Sequence, residues 1–364
     1  MIKYFLIRQP HSIPKIILWP AAVEYKPVLS GLPIGDLAKL LSNLPAFRQR
    51  QIHKWISSLA GSFDEMTNLP ISLRRELKEN FSLESGYVSS GQQDADGTVK
   101  LGITLNDGLV IEGVILSDME GRKTACISTQ AGCPLGCIFC KTGKLGFRRN
   151  LTSLEISDQF LKLKRKDRDI SHVVVMGMGE PLLNLDELRK SLDYLMESGG
   201  INISKRRITI STSGIEKGIL ELAEKGPYVR LALSLTTARS ELREKLMPSS
   251  RENPLPLVKK ALLKYQEKTQ RRITLEMVLM GGINTFPADA EAAADFAGGL
   301  DSLINLIPWN PVAGSEYEGR PLKAPSPKEI REFTSVLENL GLKVTQRYGK
   351  GLGISGACGQ LGIL

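Results

Sequence analysis

Along "GTVKLGITLNDGLVIEGVIL", within residues 86 to 116, apolar and polar positions alternate on either side of the turn-forming "NDG" at 106–108, which predicts an antiparallel hairpin. Before it the period lengthens. From about 34 to 80, "GDLAKLL", "AFRQRQIHKWISSLA" and "ISLRRELKENF" carry apolar residues at helical spacing, as at Phe47, Ile52, Trp55 and Ile56, and predict a small helical unit. From Thr124 onward the two periods alternate. Strand patterns at 124–128, 172–176, 207–211, 229–234, 273–279 and 302–307 are followed by helical patterns at 152–165, 186–198, 215–225, 254–268, 287–299 and 327–340. Six successive βα units predict an α/β fold with a parallel sheet covered by helices, either a partial barrel or an open doubly wound sheet. Both gather ligands at the carboxyl ends of the strands. The informative loops are therefore 129–151, 177–183, 211–214, 234–238, 280–286 and 308–312.

Composition narrows the class. With 364 residues, 42% of them hydrophobic, the chain is long enough for one large domain and a smaller one. The expected division is an extension over 1–27, a helical unit over 28–84, an antiparallel β region over 85–120 and a catalytic domain over 121–364. The net charge of +9 favours an anionic partner such as nucleic acid. No apolar run is long enough to span a membrane. Prolines at 10, 14 and 20 interrupt the opening stretch, which reads as a poorly ordered extension without a signal-peptide core. Five cysteines, an odd number and clustered, argue for a reducing compartment rather than a disulfide framework, and hence for the cytoplasm.

Cys133, Cys137 and Cys140, in "AGCPLGCIFCKTG", have C-x3-C-x2-C spacing on the loop after the first strand of the alternating region. Three thiolates on one tight loop can hold three irons of a [4Fe–4S] cluster and leave the fourth iron open to an external ligand. A structural zinc site is the alternative, although no second cysteine knuckle completes it.

With Phe139 before its last cysteine, this spacing resembles the radical S-adenosylmethionine signature. More specifically, "ACISTQAGCPLGCIFCKTGKLGFRRNLT", "VVMGMGEPLLN", "RRITISTSG", "LALSL", "LIPWNP" and "GACGQL" resemble the RlmN-type adenine C2 methyltransferases of 23S rRNA and tRNA, relatives of the Cfr methyltransferases. The likeness runs from about residue 28 to the C-terminus. It implies a partial (βα)6 barrel with an N-terminal helical domain and a short antiparallel β extension. The cofactors it implies are a [4Fe–4S] cluster, ligated by Cys133, Cys137 and Cys140, and S-adenosyl-L-methionine on the open iron. Gly179 and Glu180 would contact that cofactor's amino group, while Ser211, Ser234, Leu235, Thr236 and Asn310 would bind its ribose and carboxylate.

In the resemblance, Cys358 first takes a methyl group by displacement, as a thiolate. A radical formed from a second S-adenosylmethionine abstracts hydrogen from that methyl, and the carbon radical adds to adenine C2. Cys126 then promotes proton removal and resolves the RNA adduct through a Cys126–Cys358 disulfide. Glu112 matches a position assigned as proton acceptor; the plainer alternative is a solvated strand carboxylate. The implied partners are 23S rRNA, tRNA at position 37 beside the anticodon, and a low-potential electron donor such as flavodoxin. A monomer in the cytoplasm, with no membrane attachment, completes the picture. Lys141, Lys144, Arg148 and Arg149 beside the cluster, and Lys205, Arg206 and Arg207 before the third strand, are expected to grip phosphate. "LKLKRKDRD" at 161–169 reads as a solvated helix end.

The match departs at three places. Thr236 stands where the family has histidine, Gly353 where it has aspartate, and "GGINTF" alters the surroundings of Asn284. Loss of the aspartate predicts a looser Cys358 loop. Pro181 and "GFRRNL" lie closer to the RlmN pattern than to Cfr, whose C8 methylation is the second reading. A noncatalytic RNA-binding protein stapled by zinc is the third.

Overall fold

Three short helices, α1 (Ile34–Leu40), α2 (Ala46–Ser57) and α3 (Ile71–Asn80), each begin directly behind a proline, at 33, 45 and 70. Proline's fixed φ suits the entry to a helix, and its missing N–H is one the first turn could not have paired. Leu37, Ile52, Ile56, Leu73 and Leu77 form their buried faces. This computed structural model describes residues 26–118 and 120–362, so the expected extension over 1–27 lies almost wholly outside the described residues.

The predicted hairpin is part of a three-stranded meander, β1 (Gly86–Gln93), β2 (Val99–Leu105) and β3 (Val110–Ser117), with Val99 opposite Ile115 across the "NDG" turn. β1, "GYVSSGQQ", is exposed over all but its first residue and therefore carries no apolar alternation to betray it. The meander does not end there. β3 pairs antiparallel with β4 (Lys123–Cys126), and from β4 the sheet turns parallel.

A separate hairpin, β5 (Gln130–Gly132) with β6 (Phe147–Asn150), encloses the one-turn helix α4 (Lys141–Lys144). Then follow α5 (Ser153–Lys166), β7 (Ile170–Val175), α6 (Leu185–Met196), β8 (Ile208–Thr212), α7 (Glu216–Lys225) and β9 (Arg230–Ser234). The second half holds α8 (Ser240–Leu246), α9 (Leu255–Thr269), β10 (Ile273–Leu279), α10 (Pro287–Ala297) and β11 (Ser302–Pro308). After the two-residue pair β12 (Glu316–Tyr317) and β13 (Arg320–Pro321) come α11 (Pro327–Asn339) and β14 (Val344–Gln346). The ten-stranded sheet runs β1-β2-β3-β4-β7-β8-β9-β10-β11-β14, with every pairing from β4 to β14 parallel. This is the partial barrel with its antiparallel extension.

All six expected strands and helices are present, with no end displaced by more than two residues. Two helices open with capping boxes that sequence spacing announces, Thr152 with Glu155 and Ser326 with Glu329. β14 and α8 went unforeseen, the former because three residues are too few for a periodic signal. The expected solvated end at 161–169 is corrected: Lys162 is buried and pairs with Asp158 at 2.8 Å and Glu84 at 2.7 Å, while Arg165 reaches Glu84 at 2.6 Å. Asp158 also accepts from the Ser30 hydroxyl and from the Ser85 N–H and hydroxyl, joining the helical unit and the meander to α5. A buried charge needs partners of this kind to offset its desolvation.

Candidate active site in the barrel lumen

The β5–β6 hairpin brackets the loop of Cys133, Cys137 and Cys140. Gly132 has φ +81°, and a Cβ there would overlap the Gly146 carbonyl that accepts from the Cys133 N–H at 3.0 Å. The Ile138 N–H donates to the Leu246 carbonyl at 3.1 Å, and the Trp309 indole donates to the Phe139 carbonyl at 3.1 Å. Phe139, Leu246, Met280 and Trp309 form an apolar cluster against which Cys137 and Cys140 pack. Trp309 was missed as a support residue, although its place just past a strand end was the available signal.

Burial pushes the Cys133 thiol up to about 12 and raises Cys137 as well, and negative charge on their cysteine neighbours adds to both shifts. Three sulfurs that feel one another, backed by an apolar wall, suit a cationic assembly that takes them as thiolates. Among the described residues no three His, Cys, Asp or Glu side chains gather to chelate one metal ion. A cluster gives each thiolate its own iron and needs no such convergence, so the donor set fits [4Fe–4S] better than mononuclear zinc.

The other strand-end loops meet around this one. Gly179 has φ +102° and lies against Gln130, whose side-chain oxygen accepts from the Glu180 N–H at 2.9 Å. The buried Glu180 carboxylate accepts from Leu182 N–H at 3.1 Å, the Thr212 hydroxyl at 2.7 Å and Ser213 N–H at 2.8 Å. Burial raises its pKa and those donors partly counter it. The Ser211 hydroxyl donates to Glu276 at 2.8 Å and stands 3.3 Å from that of Ser234. Leu235 and Thr236 are fully buried, and Thr236 adopts φ +59°. The buried Thr236 hydroxyl finds no hydrogen-bond partner among the described residues, whereas the Ser213 hydroxyl faces the Glu180 carboxylate. An unmet donor at a strand end is what a polar cofactor bound there would satisfy. Asn310 donates its amide to the Cys358 carbonyl at 3.0 Å.

The lumen itself is a cavity of about 780 Å³. Cys126, from the first parallel strand, and Cys358, from the tail, both line it, with Glu276 and Arg347 between them and Asn310 nearby. The buried Cys126 is pushed up to about 12 by burial; Cys358, exposed to the cavity but deep within it, is raised in the same direction. No disulfide joins them among the described residues. Glu276 was missed by sequence reading; one carboxylate inside the apolar run "ITLEMVL" was its signal. Glu112 lies outside the cavity lining and is not a solvated strand carboxylate. It is buried, pairs with Lys100 at 3.0 Å and accepts from the Gly362 N–H at 2.5 Å.

The basic residues divide. Arg149 is spent internally, on Asp107 at 2.6 Å and Glu155 at 2.8 Å, and Lys144 binds the Ser315 hydroxyl at 2.8 Å. At the opposite end of the lumen Arg206, Arg207 and Arg230 are exposed, line the same cavity and have no ion pair among the described residues. Lys205 is exposed beside them, and Arg148 is the exposed cation left near the cluster loop.

Comparison with known proteins agrees with this geometry. Residues 127–297 match the radical SAM superfamily, and residues 29–83 match the ribosomal RNA large subunit methyltransferase N-terminal domain. A probable dual-specificity RNA methyltransferase RlmN from Treponema denticola is 50% identical over 93% of this chain and 96% of its own length. One from Thermus thermophilus is 39% identical over 94% of this chain and 95% of its own. A crystal structure of a radical SAM methyltransferase from Sphaerobacter thermophilus superposes with a TM-score of 0.87, at 37% identity, covering 92% of this chain and 99% of that one. The chain belongs to the RlmN family of radical S-adenosylmethionine RNA methyltransferases, whose cofactors are a [4Fe–4S] cluster and S-adenosylmethionine.

Proposed function

We propose that this enzyme methylates C2 of a specific adenine in 23S rRNA and of the adenine at tRNA position 37, through a methyl group carried on Cys358. The observation that carries the reading is the convergence of Cys126 and Cys358 on one cavity, beside a loop whose Lys141 N–H holds the Gly359 carbonyl at 2.7 Å. S-adenosylmethionine at the cluster held by Cys133, Cys137 and Cys140 supplies the methyl group and, on reductive cleavage, a radical able to take hydrogen from a methylthio carbon. The Cys358 sulfur gives up its proton and accepts the methyl. After hydrogen abstraction its carbon bonds to C2, so the RNA is attached to Cys358. The adduct gives up one electron and, promoted by Cys126 across the cavity, the C2 proton; the Cys126 thiolate then bonds to the Cys358 sulfur, the carbon–sulfur bond breaks, the freed carbon takes up a proton as the methyl group, and two electrons from the donor reopen the disulfide. Glu112, paired with Lys100, is assigned as proton acceptor on the strand beside that of Cys126.

Gly179, Glu180, Ser211, Ser234, Leu235, Thr236 and Asn310 are assigned to the cofactor, and the unpartnered Thr236 hydroxyl supports this placement. Thr236 offers a hydroxyl where the family offers imidazole. RNA phosphates are assigned to Arg206, Arg207 and Arg230, with the helical unit over 28–84 gripping folded RNA, the β region over 85–120 joining it and 121–364 performing catalysis. The adenine leaves its stack to enter the lumen. The enzyme acts as a cytoplasmic monomer fed by a flavodoxin-type donor; no described helix is long and apolar enough to cross a membrane. Nucleoside mass spectrometry of RNA treated with the reconstituted enzyme tests the reading. 2-Methyladenosine is expected, and 8-methyladenosine or unmodified RNA would overturn it.

A further inference from the structure

The segment leading to Cys358, "GKGLGISGA", has no carboxylate with which to order itself and four glycines in nine residues, and glycine is the residue most costly to fix. It is nevertheless held, and from outside. Both anchors come from the turn between β1 and β2: Asp96 Oδ2 accepts from the Gly351 N–H at 2.8 Å, and Asp94 Oδ2 accepts from the Gly353 N–H at 3.0 Å. The fit is close on each side. Gly351 has φ +72° and a Cβ there would come within 2.7 Å of Thr98 Cγ2; a Cβ on Gly353 would stand 2.9 Å from Asp94 Oδ1. Two lysines complete the strap, Lys350 donating to the Ser117 carbonyl and Lys100 to the Ser355 carbonyl at 3.4 Å. Every one of these partners belongs to the meander β1–β3 or its turns. Burial works against charge on Asp96, yet hydrogen bonds from Thr98 and Gly351 and the nearby Lys350 hold it below the usual carboxylate range.

We propose that Asp94 and Asp96 are positioning residues for Cys358, and that the antiparallel extension exists to hold the tail that carries it. The carboxylate missing from the tail at Gly353 is supplied by another strand pair. This rests on Cys358 being the methyl acceptor, but the anchoring can be tested without it. Each bond is a charge-assisted one to a backbone N–H, and losing both frees a segment whose glycines sample many conformations.

The test compares the reconstituted holoenzyme with Asp94→Ala/Asp96→Ala and Asp94→Asn/Asp96→Asn. Asparagine keeps an acceptor oxygen, so the second variant is the rescue. The alanine pair is expected to speed amide hydrogen exchange over residues 350–358 about tenfold while the cluster spectrum and thermal midpoint stay within those of the asparagine pair. S-adenosylmethionine-dependent methylation of Cys358 is expected to fall about tenfold, and alkylation of Cys358 by iodoacetamide to hold or rise. An unchanged cluster spectrum and thermal midpoint separate misplacement from unfolding, which would expose Cys358 but lose both. Unchanged exchange over 350–358 in the alanine pair would overturn the anchoring, whatever the chemistry. Faster exchange with undiminished Cys358 methylation would overturn the positioning role. If the unaltered enzyme never methylates Cys358, the methyl-acceptor reading falls while the exchange measurement still judges the strap.

Discussion

The loop of Cys133, Cys137 and Cys140 and the tail of Cys358 both present sulfur to one lumen, but they are ordered by opposite means. The cluster loop brings most of its own frame, a hairpin, a tight glycine at 132 and three thiols within eight residues, and takes from elsewhere the braces of Leu246 and Trp309. The tail brings almost nothing and borrows from Asp94, Asp96, Lys100, Glu112, Asn310, Lys141 and Thr142, whose hydroxyl donates to the Leu361 carbonyl at 2.6 Å. The difference teaches where robustness lies. A largely local frame fails at few distant points, whereas a borrowed one fails at many.

The largest effects should come from the sulfurs. Cys133→Ala should remove a cluster ligand, drop iron per chain to near zero after reconstitution and abolish RNA methylation, with the fold intact by circular dichroism; retained iron and activity would break the account of the loop. Cys126→Ala should leave Cys358 methylation in place but accumulate an RNA–protein adduct resistant to denaturing gels. Absence of adduct with normal turnover would remove Cys126 from the chemistry.

Next come the two basic regions. Arg207→Glu with Arg230→Glu should weaken RNA binding and shrink the slope of log affinity against log salt by about 0.7 per lost phosphate contact. Arg149→Ala should lower stability by about 1 kcal/mol, through its half-buried pair with Glu155, and leave that slope unchanged. Equal salt slopes for both variants would erase the distinction between them. The smallest effect concerns α11. Donors from Ser326, Thr285 and Gly282 outweigh burial and bring Glu329 down to about 2. A depressed carboxylate stabilises the fold above its ordinary value of 4.5 and loses that contribution as pH falls toward 2. Glu329→Gln should therefore flatten the acid limb of the stability curve between those values, as read by thermal unfolding.

What the sequence disclosed follows the same division. The βα rhythm and the cysteine spacing are local and were legible at once, as was the hairpin around "NDG". The strap on Cys358 was not, because Asp94 and Gly353 lie 259 positions apart and neither residue type signals the other. The glycine at 353 foretold a loose loop; a carboxylate in the β1–β2 turn reverses that. Lys162 failed for a related reason, since a helical lysine reads as solvated until Asp158 and Glu84 are seen around it. Glu276 lay in plain view as an acid in a buried strand, yet only the barrel's closure shows that it faces Ser211 and shares a cavity with Cys126 and Cys358.

The account's central claim is that Cys358 carries the methyl group, and peptide mass spectrometry of the enzyme after incubation with S-adenosylmethionine tests it most directly. The predicted result is a mass increase of about 14 Da on the peptide containing Cys358, absent from Cys358→Ala, which no longer methylates RNA. RNA methylation by Cys358→Ala, or a methyl found elsewhere while Cys358 stays unmodified, would contradict it.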